Sequence, residues 1–528
     1  MEKIKYCALV FSITLLSLIT NGQNRNLSNG SLFDGEPYIA VNPANPQHMV
    51  VAWMGYVFLN RIVIKTRTSF DGGTTWSPVQ NTPHAVTDYT SADPSLAFDA
   101  NGNVFLCMID SRPDHTAGAI YLRKSTDGGL SWGSPVEVMD FNADPGKLAI
   151  DRPWICIDRS GGEMDGNIYI TSMNAKGANG PPYHPYFNRS LDNGETFEPW
   201  RYADSTGWLA GSLIPQPMPT PLVTADGTFH CVYPSYVFSQ NILPQYILAA
   251  STNAGTGFTY QTVLASWFTN AVTDTSAKKG YLLLADPSNS DHLAFIHLSN
   301  ENGDSDISFR ETYDSGETWS NSIRVNDDPV GNNRMQDLAW AAFDTDGDIV
   351  ITWRDRRHAA DTGYSASYEI YGAFRHRDSV NFSANFRISD GSIPFDDILL
   401  GSGNDFMSVE LYNDTLSLVW GDTHTGTLNI WFQRMTINGA PVSVQQIASE
   451  PIYEVNITKG PAAKTFVISA ELMDQISVTD LTGKRVSFIN PPKYSDSYLL
   501  DLSPFPTAYY IVTIHTKVGK TARKIYNN

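Results

Sequence analysis

The stretch SFDGGTTW, residues 69–76, decides how the rest of the chain is read, because close copies return at 125–132 (STDGGLSW), 190–197 (SLDNGETF), 251–258 (STNAGTGF) and 312–319 (TYDSGETW). Each copy places a hydroxyl, then Asp or Asn, then Gly, then an aromatic residue. The Asp side chain can accept hydrogen bonds from turn N–H groups, Gly supplies a positive φ, and the ring can pack under a neighbouring element. Those are the needs of a tight turn, so the octapeptide reads as a folding device rather than a catalytic signature.

A longer repeat surrounds it. Short apolar-alternating runs separated by Gly, Asn, Asp and Pro fill residues 30–450, and long helical periodicities are missing. Strand pairs begin at residues 36 (EPYIAV), 93 (DPSLAF), 152 (RPWICI), 220 (TPLVTA), 280 (GYLLLA), 336 (QDLAWA) and 404 (NDFMSV), 56 to 68 residues apart. In five of these units a third strand runs into the octapeptide, which then falls on the turn to a fourth. Four strands at this spacing suit a propeller blade better than a solenoid repeat. The expected fold is all-β: a seven-bladed β-propeller over residues 23–450, followed by a small C-terminal β-sandwich domain over 451–528.

The pattern S-x-D-x-G-x-T-W resembles the Asp box of sialidases and other BNR-repeat propellers. The resemblance implies that the box is structural and lies on the face opposite the active site. Units six and seven have lost it (FRHRDSVNF, FQRMTINGA). Chemistry is therefore expected on the other face, built by the turns between second and third strands and by the connections between blades.

The ends of the chain have their own signatures. Lys3 and Lys5 precede an apolar run from Cys7 to Ile19 and then Thr20, Asn21 and Gly22, the pattern of a secretory signal peptide over 1–22. No other run approaches a membrane span, so no transmembrane segment is expected and the product is expected to be secreted or held at the cell surface. The tail, with ISVTDLTGKRV and YYIVTIHTKVGKTARKIYNN, resembles the C-terminal sorting domain of the type IX secretion system, which makes that machinery an expected partner. It departs from that pattern in carrying Ala508 where Gly commonly precedes the Tyr.

A formal charge of −19 opposes general attraction to nucleic acid, and an anionic substrate would need a local cationic pocket. Cys107, Cys156 and Cys231 each sit among apolar strand residues and read as buried thiols. No His/Cys cluster has zinc spacing. Loop aspartates suit structural calcium as well as plain turns, so the sequence leaves metal content open.

Histidines, tyrosines and arginines collect on the expected open face. Blade number, size and tail resemble the propeller ulvan lyases (polysaccharide lyase family 24 type), which implies β-elimination on an anionic, uronic-acid-containing sulfated polysaccharide. That chemistry needs an arginine to neutralise the uronate, a His or Tyr base, and a Tyr or His acid. His115, Tyr186 (or Tyr183) and Arg201 are the expected catalytic set, with Arg112, Arg152, Tyr183, His184, Arg357 and His358 binding substrate. The long unit-three loop that holds Tyr183 and His184 exceeds what a blade turn needs. Two alternatives stand beside this. An exo-sialidase-like glycoside hydrolase would need three arginines on a carboxylate and a tyrosine nucleophile, and only Arg61 echoes the expected Arg-Ile-Pro segment. A non-catalytic surface glycan-binding propeller would need aromatic platforms, for which Trp208 and Trp267 are available.

Overall fold

The computed structural model describes residues 24–57, 61–147, 150–174, 180–268, 280–402, 404–440, 455–481, 484–492, 495–516 and 519–528, so the expected signal segment lies outside the described residues. The chain divides into two compact units, Met1–Val442 and Ser443–Asn528.

Seven antiparallel four-stranded sheets make the first unit a seven-bladed β-propeller. The innermost strands are Asp34–Val41, Thr90–Phe98, Ile150–Ile157, Thr220–Val223, Tyr281–Ala285, Gln336–Phe343 and Met407–Tyr412. Second strands such as Val104–Ser111 are buried along their whole length, because neighbouring blades cover both faces of each sheet. Valine, isoleucine and aromatic residues suit such a site. The ring is closed by the chain's own N-terminal part: Arg25–Asn26 pairs antiparallel with Asn429–Thr436, Arg25 opposite Phe432, and supplies the fourth strand of blade seven.

Every octapeptide follows a third strand, as its sequence implies. In the first, Asp71 accepts from the Thr75 N–H at 2.8 Å and the Thr75 hydroxyl at 2.6 Å, while the Ser69 hydroxyl accepts from the Gly73 N–H at 2.8 Å. Asp127, Asp192, Asn253 and Asp314 repeat the backbone capture. The box then seats on the adjacent blade. Trp76 meets Phe432 of blade seven at 5.2 Å and Phe258 meets Phe187 of blade three at 5.2 Å, both edge to face. Gly255 has φ of 76°, and a Cβ there would lie 2.3 Å from the Phe187 ring. Gly255→Ala is expected to destabilise the propeller by about 1–3 kcal/mol or more, through backbone strain and overpacking together, measured as a lower denaturant midpoint.

Cys107 and Cys231 are buried, Cys156 is half-buried, and all three are free thiols. The melting temperature is expected to be unchanged by reductant, since no cross-link joins these three thiols.

In the second unit the long strand Thr465–Asp480 takes different partners along its two halves. Residues 465–469 pair with Asn456–Lys459 and Ser495–Asp501, and residues 473–480 pair with Arg485–Ile489 and Ala508–Thr516. Ile468, Met473, Ile476, Val478, Leu500, Val512 and Ile514 form the core between them. Among the described residues the only α-helix is Asp397–Ser402, and none is long and apolar enough to cross a membrane.

Candidate functional site

Four inner strands share an irregularity where they begin. The pairing slips between Gly35 and Tyr38, Ala92 and Ser95, Asp151 and Trp154, and Asp337 and Trp340. At each slip a non-glycine residue has φ near +50°: Glu36 (54°), Asp93 (51°), Arg152 (51°) and Leu338 (52°). Such a conformation costs of order 1–3 kcal/mol per residue and persists where the surroundings enforce it. Glu36, Asp93 and Arg152 are each more than nine-tenths buried and close enough to interact. The Arg152 Nη2 donates to Asp405 at 2.6 Å, its guanidinium lies 4.8 Å over the Phe406 ring, and its N–H points at Asp93 at 3.3 Å. Its Nε and Nη1, and the Glu36 Oε2, meet no hydrogen-bond partner. Burial and the neighbouring Glu36 push the Asp93 carboxyl up to about 7, and burial raises Glu36 too, while Arg152 pulls both down.

From this strand the upper edge of blade three runs outward through Ile168–Asn174, Tyr186–Ser190 and Arg201–Tyr202. Asn174 stands opposite Ile150, and Tyr186 opposite Tyr202. Both phenols donate to Asp144 Oδ2 at 2.7 Å, and the Tyr186 oxygen also lies 3.0 Å from the Asn174 side-chain amide. Burial and the Asp144 carboxylate raise both phenol pKa values, so both stay protonated at neutral pH. His184 stacks on Tyr202 at 4.0 Å between centroids. Its Nδ1 lies 2.9 and 3.1 Å from the two oxygens of Asp204, a carboxylate with no exposed side-chain surface, which also accepts the Ala210 N–H at 3.0 Å. A carboxylate there fixes the tautomer with the proton on Nδ1, leaving the Nε2 lone pair for a ligand. Lys147 donates to the carbonyls of Gly180 and Pro182 and lies 5.8 Å over the Tyr183 ring.

Three other histidines on this face hold a carboxylate. His84 pairs with Asp110 at 2.9 Å, but its Nε2 is buried without a partner. His358 pairs with Glu369 at 2.6 Å and His424 with Asp422 at 2.7 Å. The described residues contain no group of three or more His, Cys, Asp or Glu arranged to hold a metal ion.

The expected catalytic trio is not brought together. His115 sits exposed in a left-handed turn of blade two, its N–H bound to the Arg112 carbonyl. Tyr186 is wholly buried and committed to Asp144 and Asn174, so it positions the network and cannot touch a substrate. Arg201 points the other way: its Nη1 donates to the carbonyls of Gly255 and Thr256, inside the fourth Asp box. Among the expected binding residues, Arg112 is exposed 3.5 Å from Asp88, and Arg357 is clamped by Asp355, Asp327 and Asn385. His184, Tyr183 and Arg152 line one blade edge. Asp144, Lys147, Asn174 and Asp204 carry no signal in the sequence beyond their place at strand ends and in connections of unit three.

No protein-family model matches the chain, and no curated protein matches it. Solved structures similar to it include a protein of unknown function from Dyadobacter fermentans, with 15% identity over 67% of this chain and 98% of that one and a TM-score of 0.41. The α-L-arabinanase of Penicillium chrysogenum has 12% identity over 80% of this chain and 99% of its own, TM-score 0.43. The NanB sialidase of Streptococcus pneumoniae has 11% identity over 79% and 71%, TM-score 0.39.

Proposed function

We propose that the protein is a carbohydrate-active propeller that cleaves a uronic-acid-containing polysaccharide of the ulvan type by β-elimination, at the upper edge of blade three. The observation that carries this reading is the His184–Asp204 pair, whose ring stacks on Tyr202 and whose neighbour in sequence, Tyr183, lies under the Lys147 ammonium. In this scheme His184 Nε2 removes the proton at C5 of the uronate. The C5–H electron pair forms the C4–C5 double bond as the C4–O bond breaks, and the Tyr183 hydroxyl protonates the departing oxygen. Lys147 faces the carboxylate and stabilises the charge that develops on it, the role earlier assigned to Arg201. Arg152 adds positive charge toward the axis of the ring.

The hydrolase alternative draws less support. A sialidase-type site needs three arginines on one substrate carboxylate, whereas Arg152, Arg354, Arg356 and Arg357 each already bind an aspartate. Residues 1–22 as a signal peptide and the C-terminal unit as a type IX sorting domain complete the proposal for a secreted or surface-held enzyme.

The test is incubation of the full chain with ulvan, polygalacturonate and alginate, followed in the ultraviolet. Elimination gives rising absorbance from the conjugated double bond, and each new fragment pair carries one unsaturated end. New reducing ends without that absorbance would mean hydrolysis and overturn the lyase reading.

A further inference from the structure

The neighbouring blade carries an aromatic surface that the chemistry above does not use. Phe238, Ile242, Trp267, Phe268 and Leu213 are 63, 72, 60, 51 and 50% exposed, a concentration of large apolar side chains unlike the scattered ones elsewhere. They stand on three segments at blade four: Phe238 and Ile242 on the turn between Phe229–Ser235 and Gln245–Ser251, Trp267 and Phe268 on the connection after Thr259–Ala265, and Leu213 on the connection that enters Thr220–Val223. Tyr236 joins them, its ring 4.9 Å from Phe238 and 5.7 Å from Trp267, the latter at 89°. Trp208 does not take part, because it stacks on Tyr260 instead.

The surface is wired to the His184 site through one short strut, residues 209–211. The Tyr236 N–H donates to the Ala210 carbonyl, the Ala210 N–H donates to Asp204, and the Tyr183 N–H donates to the Gly211 carbonyl at 2.8 Å. Gln240 fixes the strut from the other side, accepting the Leu209 N–H at 2.8 Å and donating to its carbonyl at 3.0 Å. Segments 205–214, 234–246 and 264–268 contain no charged residue, in a chain with 36 basic and 55 acidic ones. A partner with charged faces would leave its charges without counterparts there. The apolar C–H face of an uncharged sugar ring would not, and Ser239 places a hydroxyl on the same turn.

We infer that this blade-four platform binds uncharged sugar residues of the same polysaccharide chain whose uronate meets His184, holding the polymer across the two blades. The inference rests on the proposed function for the identity of the polymer, and its test separates the two. Affinity electrophoresis of the full chain is run in gels containing ulvan that has been desulfated and whose uronates have been reduced to neutral sugars. That polymer offers a ring face to the platform and no carboxylate for elimination. Wild type is expected to be retarded, and Phe238→Ala/Trp267→Ala to lose affinity by about tenfold or more, as for buried aromatic anchors. Both positions are exposed, so the variant is expected to keep the wild-type melting temperature. Equal retardation of variant and wild type, or no retardation of either, overturns the platform; the second result is the one a protein-docking surface gives. If native ulvan yields no unsaturated product while the variant still loses retardation, the platform stands and the lyase reading falls.

Discussion

His184→Ala is expected to lower turnover of a uronate polysaccharide by about 10²–10⁴-fold, the range for loss of a positioned general base. The fold should survive, since the ring is half-buried at the outer part of blade three and gives up one charge-assisted hydrogen bond. The loss should fall on kcat rather than KM, because the lone pair acts on the C5 proton in the transition state and contributes little to ground-state binding. Asp204→Asn is expected to act in the same direction. An amide in place of the carboxylate no longer fixes the proton on Nδ1, so part of the population presents N–H rather than a lone pair at Nε2. Steady-state kinetics of both variants on ulvan check this, with wild-type circular dichroism as the control for folding.

The second large effect is on stability. Arg152→Met removes the one cation among Glu36, Asp93 and Asp405, and breaking a buried pair in this way costs about 3–5 kcal/mol. Its pH dependence has a definite sign. Glu36 and Asp93 titrate above their unfolded values in the folded protein, so their contribution is fully present below those values and is lost as pH rises through about 7. Arg152 opposes that loss by pulling both carboxyls down. The variant's deficit relative to wild type should therefore be smaller at about pH 5, where Asp93 is protonated and the lost Asp405 pair remains, and largest at about pH 8. Urea unfolding of both proteins at the two pH values measures it. A deficit independent of pH would mean that Arg152 acts through Asp405 and Phe406 and not through Glu36 and Asp93.

The propeller was legible because its repeat is written at two scales, the octapeptide turn and the blade-length strand pattern, and both follow from local chemistry. The ring closure was not. Arg25–Asn26 is a two-residue strand with no periodicity, and its partner lies some four hundred positions away. The left-handed starts of the inner strands were also hidden, since a residue before proline ordinarily reads as extended. Glu36, Asp93 and Arg152 precede Pro37, Pro94 and Pro153 and depart from that rule.

At the site, a period of two explains both the successes and the failures. Arg201 and Tyr202 are adjacent in one strand, so they face opposite sides. Tyr202 joins the Asp144 network and Arg201 reaches the Asp box of the next blade. A register wrong by one residue moves a catalytic candidate across the sheet, and nothing in a two-residue strand fixes that register. His184 was found because its loop is longer than a blade turn requires. Its partner Asp204, 20 residues away, and the Asp144 that binds Tyr186 and Tyr202 come from connections on either side, where spacing carries no signal.

A crystal structure of the inactive His184→Ala variant with a uronate oligosaccharide bound puts these assignments to the strictest test. The sugar chain should cross the upper edge of blade three, with a uronate carboxylate beside Lys147, its C5 over the vacated imidazole position, and the next ring against Phe238 and Trp267. An oligosaccharide bound on the Asp-box face, or at another blade with Lys147 and Tyr183 untouched, would contradict the site proposed here.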